Sequence, residues 1–109
     1  MSKLKITKEQ RTFLEQYFDY IETDYNDNDL YLETWTNGGV DMVIYLDKNK
    51  SLIENLEEYI ESFDIDEEIE IYRQDQRYKQ NFTIRESVND FENWVVYITN
   101  IINELKEVE

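Results

Sequence analysis

The chain is 109 residues long and carries 26 acidic against 11 basic side chains, a formal charge of −15. It has no cysteine and no histidine, which excludes disulfides and thiolate metal sites and removes the commonest general base and transition-metal ligand. Leu, Ile, Val and Phe still supply 31 residues, enough apolar mass for one folded domain over residues 1–109 despite the charge.

Thr7 followed by Gln10 has the form of a capping box. Phe13, Leu14, Tyr17, Phe18 and Ile21 then recur at helical spacing, so the first predicted element is a helix reaching about Thr23. The segment TDYNDND reads as a loop, since Asp and Asn bond their own backbone. Two predicted strands, LYLETWT and VDMVIYL, are joined through Asn37-Gly38-Gly39. Leu30 and Leu32 share an apolar face with Met42, Ile44 and Leu46 only if paired residue numbers have an even sum. That requires a three-residue loop with glycine at the left-handed position. A two-residue turn would bury Glu33 instead.

Ser51 with Glu54 starts a second predicted helix, on which Leu52, Ile53, Leu56, Tyr59, Ile60 and Phe63 form the apolar stripe. Ile65, Ile69 and Ile71 alternate with acids and suggest a third strand. A long last helix is expected from Ser87 as cap, with Phe91, Trp94, Val95, Ile98, Ile101, Ile102 and Leu105 as its stripe. The order α-β-β-α-β-α implies an α+β fold, a small antiparallel sheet packed against three helices.

Catalysis finds little support. Both glycines sit in the hairpin turn, so no phosphate-cradling loop exists. Ser2, Ser51, Ser62 and Ser87 have no histidine to activate them, and among 26 acids a glycosidase-like pair arises by chance. DYNDNDLYLE places Asp24, Asn26 and Asn28 as an EF-hand would, but Asp29 stands where that loop needs glycine and Trp35 where it needs glutamate. Neither a metal nor a cofactor is expected. No apolar run approaches the ~18–20 residues of a membrane span, and MSKLKITKEQ lacks a signal-peptide core, so a cytoplasmic protein is expected.

The distribution of charge is more informative. Between Thr12 and Tyr72 there are 18 acids and two bases, Lys48 and Lys50. Glu54, Glu57, Glu58 and Glu61 fall on one helix side at i, i+3, i+4 and i+7, where like charges destabilise the helix by a few tenths of a kcal/mol per pair. Asp64, Glu67 and Glu68 extend this row, and Asp24, Asp27 and Asp29 form a second cluster. Such a face either keeps the chain soluble or meets a basic partner. DNA-binding grooves are lined with Lys and Arg, and a rigid row of carboxylates can occupy one, whereas direct binding to nucleic acid is disfavoured. Tyr25 and Tyr59 are candidate aromatic anchors beside the acids. The alternative is an interaction or assembly module, a toxin–antitoxin partner or a homodimer, using Val96 and Tyr97 on the last helix.

The stretch FDIDEEIEIYRQDQRYKQNFTIRESVNDFENW, Phe63 to Trp94, is similar to a segment of small uncharacterised proteins from phages and mobile elements of Gram-positive bacteria. In size, acidity and richness in Tyr, Asn, Ile and Glu, the whole chain resembles anti-CRISPR and antirestriction proteins. That resemblance implies a DNA-mimicking inhibitor of a host defence protein in the bacterial cytoplasm, a Cas9-type nuclease or a restriction enzyme. It brings no functional residues with it.

Overall fold

The computed structural model describes residues 4–22, 30–74 and 84–108. They form an α+β fold in the order α1 (Lys8–Glu15), β1 (Tyr20–Glu22), β2 (Leu30–Trp35), β3 (Asp41–Leu46), α2 (Leu52–Ser62), α3 (Ile65–Gln74) and α4 (Ile84–Val108). The three strands make one antiparallel sheet in the order β1-β2-β3.

The capping box at Thr7 is complete. Its hydroxyl accepts from the Gln10 N–H at 3.1 Å, and the Gln10 side chain accepts from the Thr7 N–H at 3.0 Å. The helix nevertheless ends at Glu15, well short of Thr23. Tyr17 and Phe18 donate back to the Leu14 carbonyl in a closing turn, and Asp19 donates to the Glu33 carbonyl at 2.9 Å. From there Tyr20, Ile21 and Glu22 pair with Glu33, Leu32 and Tyr31. Helical spacing is overridden here because β2 would otherwise present an unpaired edge, and Tyr-Ile suits a strand.

The hairpin has the predicted register. Leu30 faces Leu46, Leu32 faces Ile44 and Thr34 faces Met42, and all six side chains are buried. Thr36 and Val40 close the turn: the Thr36 N–H donates to the Val40 carbonyl at 2.9 Å, and the Val40 N–H to the Thr36 hydroxyl at 3.1 Å. The three residues between them end in Gly39 at φ +84°, the left-handed conformation that favours glycine.

Ser51 caps α2, accepting from the Glu54 N–H at 3.2 Å. Leu52, Ile53 and Leu56 are buried, and so is Asn55. The Asn55 amide accepts from the Asp47 N–H at 2.7 Å and donates to the carbonyls of Asp47, Lys50 and Ser51, tying α2 to the end of β3.

The expected third strand over Ile65–Ile71 is instead the helix α3; the third strand of the sheet is β1. Asp64 makes the helix. Its carboxylate accepts from the N–H groups of Asp66 at 3.0 Å and Glu67 at 3.3 Å, and its carbonyl accepts from Glu68. Three acids in the first turn and Arg73 in the last suit the helix dipole. The alternation of isoleucines already failed at Glu67. On a helix Ile65 and Ile69 share a face, and Ile69 is buried while Ile71 is exposed.

Ser87 lies inside the first turn of α4 rather than capping it. Phe91, Trp94, Ile98, Ile101, Ile102 and Leu105 are buried as the stripe predicts, with Val95 at its half-buried margin. α4 is the spine of the molecule: α2 and α3 both pack on it, and α2 also meets β3. The inner face of the sheet and the helices share one hydrophobic core.

Candidate partner-binding surface

α2 buries one side against α4 and the sheet and turns the opposite side to solvent. Glu54, Glu57, Glu58 and Glu61 are all exposed there, over about 10 Å of helix axis. The row is partly compensated. Lys50 reaches Glu58 at 2.5 Å, and Lys106 of α4 reaches Glu57 at 3.5 Å. The hydrogen bond to Glu58 holds the Lys50 ammonium pKa above its ordinary value. Glu54 and Glu61 have no ion pair among the described residues.

The acids that follow divide by role. Glu67 is exposed, but Asp64 is the cap of α3 and therefore serves the fold. Glu68 is half-buried, and that burial, with the charge of Glu67, raises its pKa. Asp24, Asp27 and Asp29, and with them Tyr25, lie outside the described residues. Tyr59 is not a free anchor. Its hydroxyl accepts from the Trp94 indole N–H at 2.9 Å, its ring packs on Phe63, and burial pushes its pKa up to about 12. On α4, Tyr97 stacks on Trp94 and donates to the Tyr17 carbonyl. Of the two residues of the alternative interface, only Val96 is exposed.

A second surface went unrecognised in the sequence. Among the described residues no helix covers the outer face of the sheet, which carries Tyr20, Trp35 and Tyr45, 56%, 43% and 72% exposed. Tyr20 and Trp35 meet edge to face at 6.0 Å. On the same face, Asp41 accepts a hydrogen bond from the protonated form of the Glu33 carboxyl. That contact, followed by partial burial and the charges of Asp41 and Asp19, raises the Glu33 pKa. The signal was available: once Leu30 and Leu32 point inward, strand parity sends Tyr31, Glu33 and Trp35 outward.

Among the described residues no group of carboxylates is arranged to hold a metal ion, and no helix is long and apolar enough to cross a membrane. Compared with protein-family models, curated proteins and solved structures, the chain matches none.

Proposed function

We propose that the protein is a non-enzymatic inhibitor that docks its α2–α3 surface into the basic nucleic-acid groove of a protein partner, taking the place of DNA. The observation that carries this reading is the exposed row Glu54, Glu57, Glu58 and Glu61 on a helix held rigidly by the core. The row continues into Asp66, Glu67 and Glu68 with no base between. DNA presents one phosphate per strand about every 3.4 Å of rise, and a groove built for it offers Lys and Arg at comparable intervals. A rigid row of carboxylates releases the same counterions and is steered to the groove by the same field. The ion pairs to Lys50 and Lys106 are exposed and therefore weak, so a partner's arginines can replace them. The resemblance to anti-CRISPR and antirestriction proteins supports a Cas9-type nuclease or a restriction enzyme as that partner.

A mimic needs its carboxylates at fixed places, whereas a solubilising face needs only their total. Two variants of equal net charge separate these. One replaces Glu54, Glu57, Glu58 and Glu61 by Gln. The other replaces Glu9, Glu15, Glu92 and Glu107, exposed acids of α1 and α4. In competition with labelled DNA for a nuclease, the first variant is expected to lose a few kcal/mol of binding and the second almost none. Equal behaviour of the two would overturn the mimic reading.

A further inference from the structure

Asp90 of α4 is only 8% exposed. Its carboxylate accepts from the Thr36 hydroxyl at 2.5 Å and the Gly38 N–H at 2.9 Å, which pins the hairpin turn to α4. Both donors are neutral, and no base pairs with Asp90 among the described residues. Buried charges are ordinarily paired, because desolvation is costly and attraction at low dielectric is strong.

Beside Asp90 the surface opens into a pocket of about 210 Å³, walled by Trp35, Trp94 and Tyr97, with Asn37 and Asn93 at hand. Trp94 and Tyr97 stack with ring centroids 5.7 Å apart. The volume falls below the ~300–1,000 Å³ of sites for drug-sized ligands and suits a single side-chain head group. Aromatic walls favour a cation over their faces, tryptophan most of all. The asparagine side chains offer carbonyl acceptors. A phosphate or carboxylate would meet the Asp90 anion and a chain of charge −15.

We propose that this pocket takes the guanidinium head of an arginine side chain presented by a protein partner. The site lies on the hairpin turn and α4, apart from the α2–α3 row, and does not depend on it. The guanidinium plane lies against the exposed Trp35 and the half-buried Tyr97, which Trp94 backs from the core, while its N–H groups turn to Asp90 and the asparagine carbonyls, a combination that a fork of five donors satisfies and a point charge does not.

The chain's two tryptophans both line the pocket, so intrinsic fluorescence reports its occupation directly. The full chain is titrated with a Gly-Arg-Gly peptide and with the same peptide carrying citrulline, a neutral isostere of arginine. The arginine peptide is expected to change the emission saturably and to bind about tenfold more tightly than the citrulline peptide. Asn93→Lys places a tethered ammonium at the mouth of the pocket and should abolish the response with the circular dichroism unchanged. The variant with Glu54, Glu57, Glu58 and Glu61 replaced by Gln should keep it. Three results would overturn the proposal: no saturable response to the arginine peptide up to about 10 mM, equal responses to both peptides, or a response retained by folded Asn93→Lys. Loss of the response in the α2 variant would also overturn it, by showing bulk attraction in place of a site.

Discussion

On the outer side of α2, four glutamates stand in solvent, and Lys50 and Lys106 reach in to two of them. On the hairpin, Glu33 leans on Asp41 with no base beside the pair among the described residues, and Asp90 is buried against neutral donors. The first setting is cheap, because water and movable lysines screen the charges. The second is not, because the fold itself holds carboxylates together or removes them from water. A net charge of −15 therefore does not measure repulsion. The surroundings of each acid do, and the few acids of the sheet side should weigh more on stability than the many on α2.

Asp90→Ala should produce the largest effect. It strands the Thr36 hydroxyl and the Gly38 N–H and frees the turn from α4. Hydrogen bonds to a charged group are worth about 1.5–3 kcal/mol, so an overall loss of about 2–4 kcal/mol is expected in urea unfolding. Asp90→Asn keeps one acceptor oxygen and should lose about half of that. A loss under about 0.5 kcal/mol for alanine would put Asp90 with the solvated acids.

Next comes Glu33→Gln, whose effect depends on pH. The Glu33 pKa is raised above its ordinary value of 4.5 in the folded chain, so folding favours its protonated form. The associated stability is fully present below the unfolded pKa and is lost as pH rises through the folded one. At neutral pH the Glu33–Asp41 contact is repulsive, and Gln relieves it. The variant should melt slightly above the parent at pH 7 and together with it near pH 3.5. A lower melting temperature at pH 7 would mean that Glu33 has a cationic partner in solution.

The helices were legible where local chemistry and burial agree. Thr7, Ser51 and the stripes of α2 and α4 are read correctly because cap and period specify the same element. The hairpin register was legible too, since one parity alone buries Leu30, Leu32, Met42, Ile44 and Leu46 together. Two elements misled. Tyr20–Glu22 carry a helical period and become a strand because β2 offers them an edge, a tertiary fact that no local window holds. Ile65–Ile71 look alternating and become a helix because Asp64 caps them, a signal hidden among the eight other acids between Glu54 and Glu70. The same masking affects the site. The exposed row on α2 follows from helical spacing, but Asp64 and Tyr59 stand in the same run and turn out to serve the fold. The pocket at Asp90 joins residues 35–37 to residues 90–97, and only the packing of α4 on the hairpin turn brings them together.

The smallest effects belong to the α2 row itself, and there the sign separates its members. Glu54 and Glu61 lack an ion pair among the described residues, whereas Glu57 and Glu58 each meet a lysine. Glu54→Lys with Glu61→Lys removes like-charge neighbours at i+3 and i+4 and creates attractive ones, at about 0.2–0.5 kcal/mol per pair. Two terms oppose this gain: Glu54 lies in the first turn, where an acid suits the helix dipole, and its charge attracts Lys50, which a lysine would repel. The net expectation is a fold as stable as the parent's or slightly more so at low salt, the difference fading as salt rises. Glu57→Gln with Glu58→Gln relieves the same repulsion but removes both lysine pairs of the row, leaving Lys50 with Asp47 at 3.9 Å, so it should gain less or lose slightly. Thermal unfolding of both double variants at low and high salt measures the contrast. Strong destabilisation by the first would mean that Glu54 and Glu61 support the fold. In that case the cost of like charge on α2, and with it the contrast between helix and sheet, would disappear.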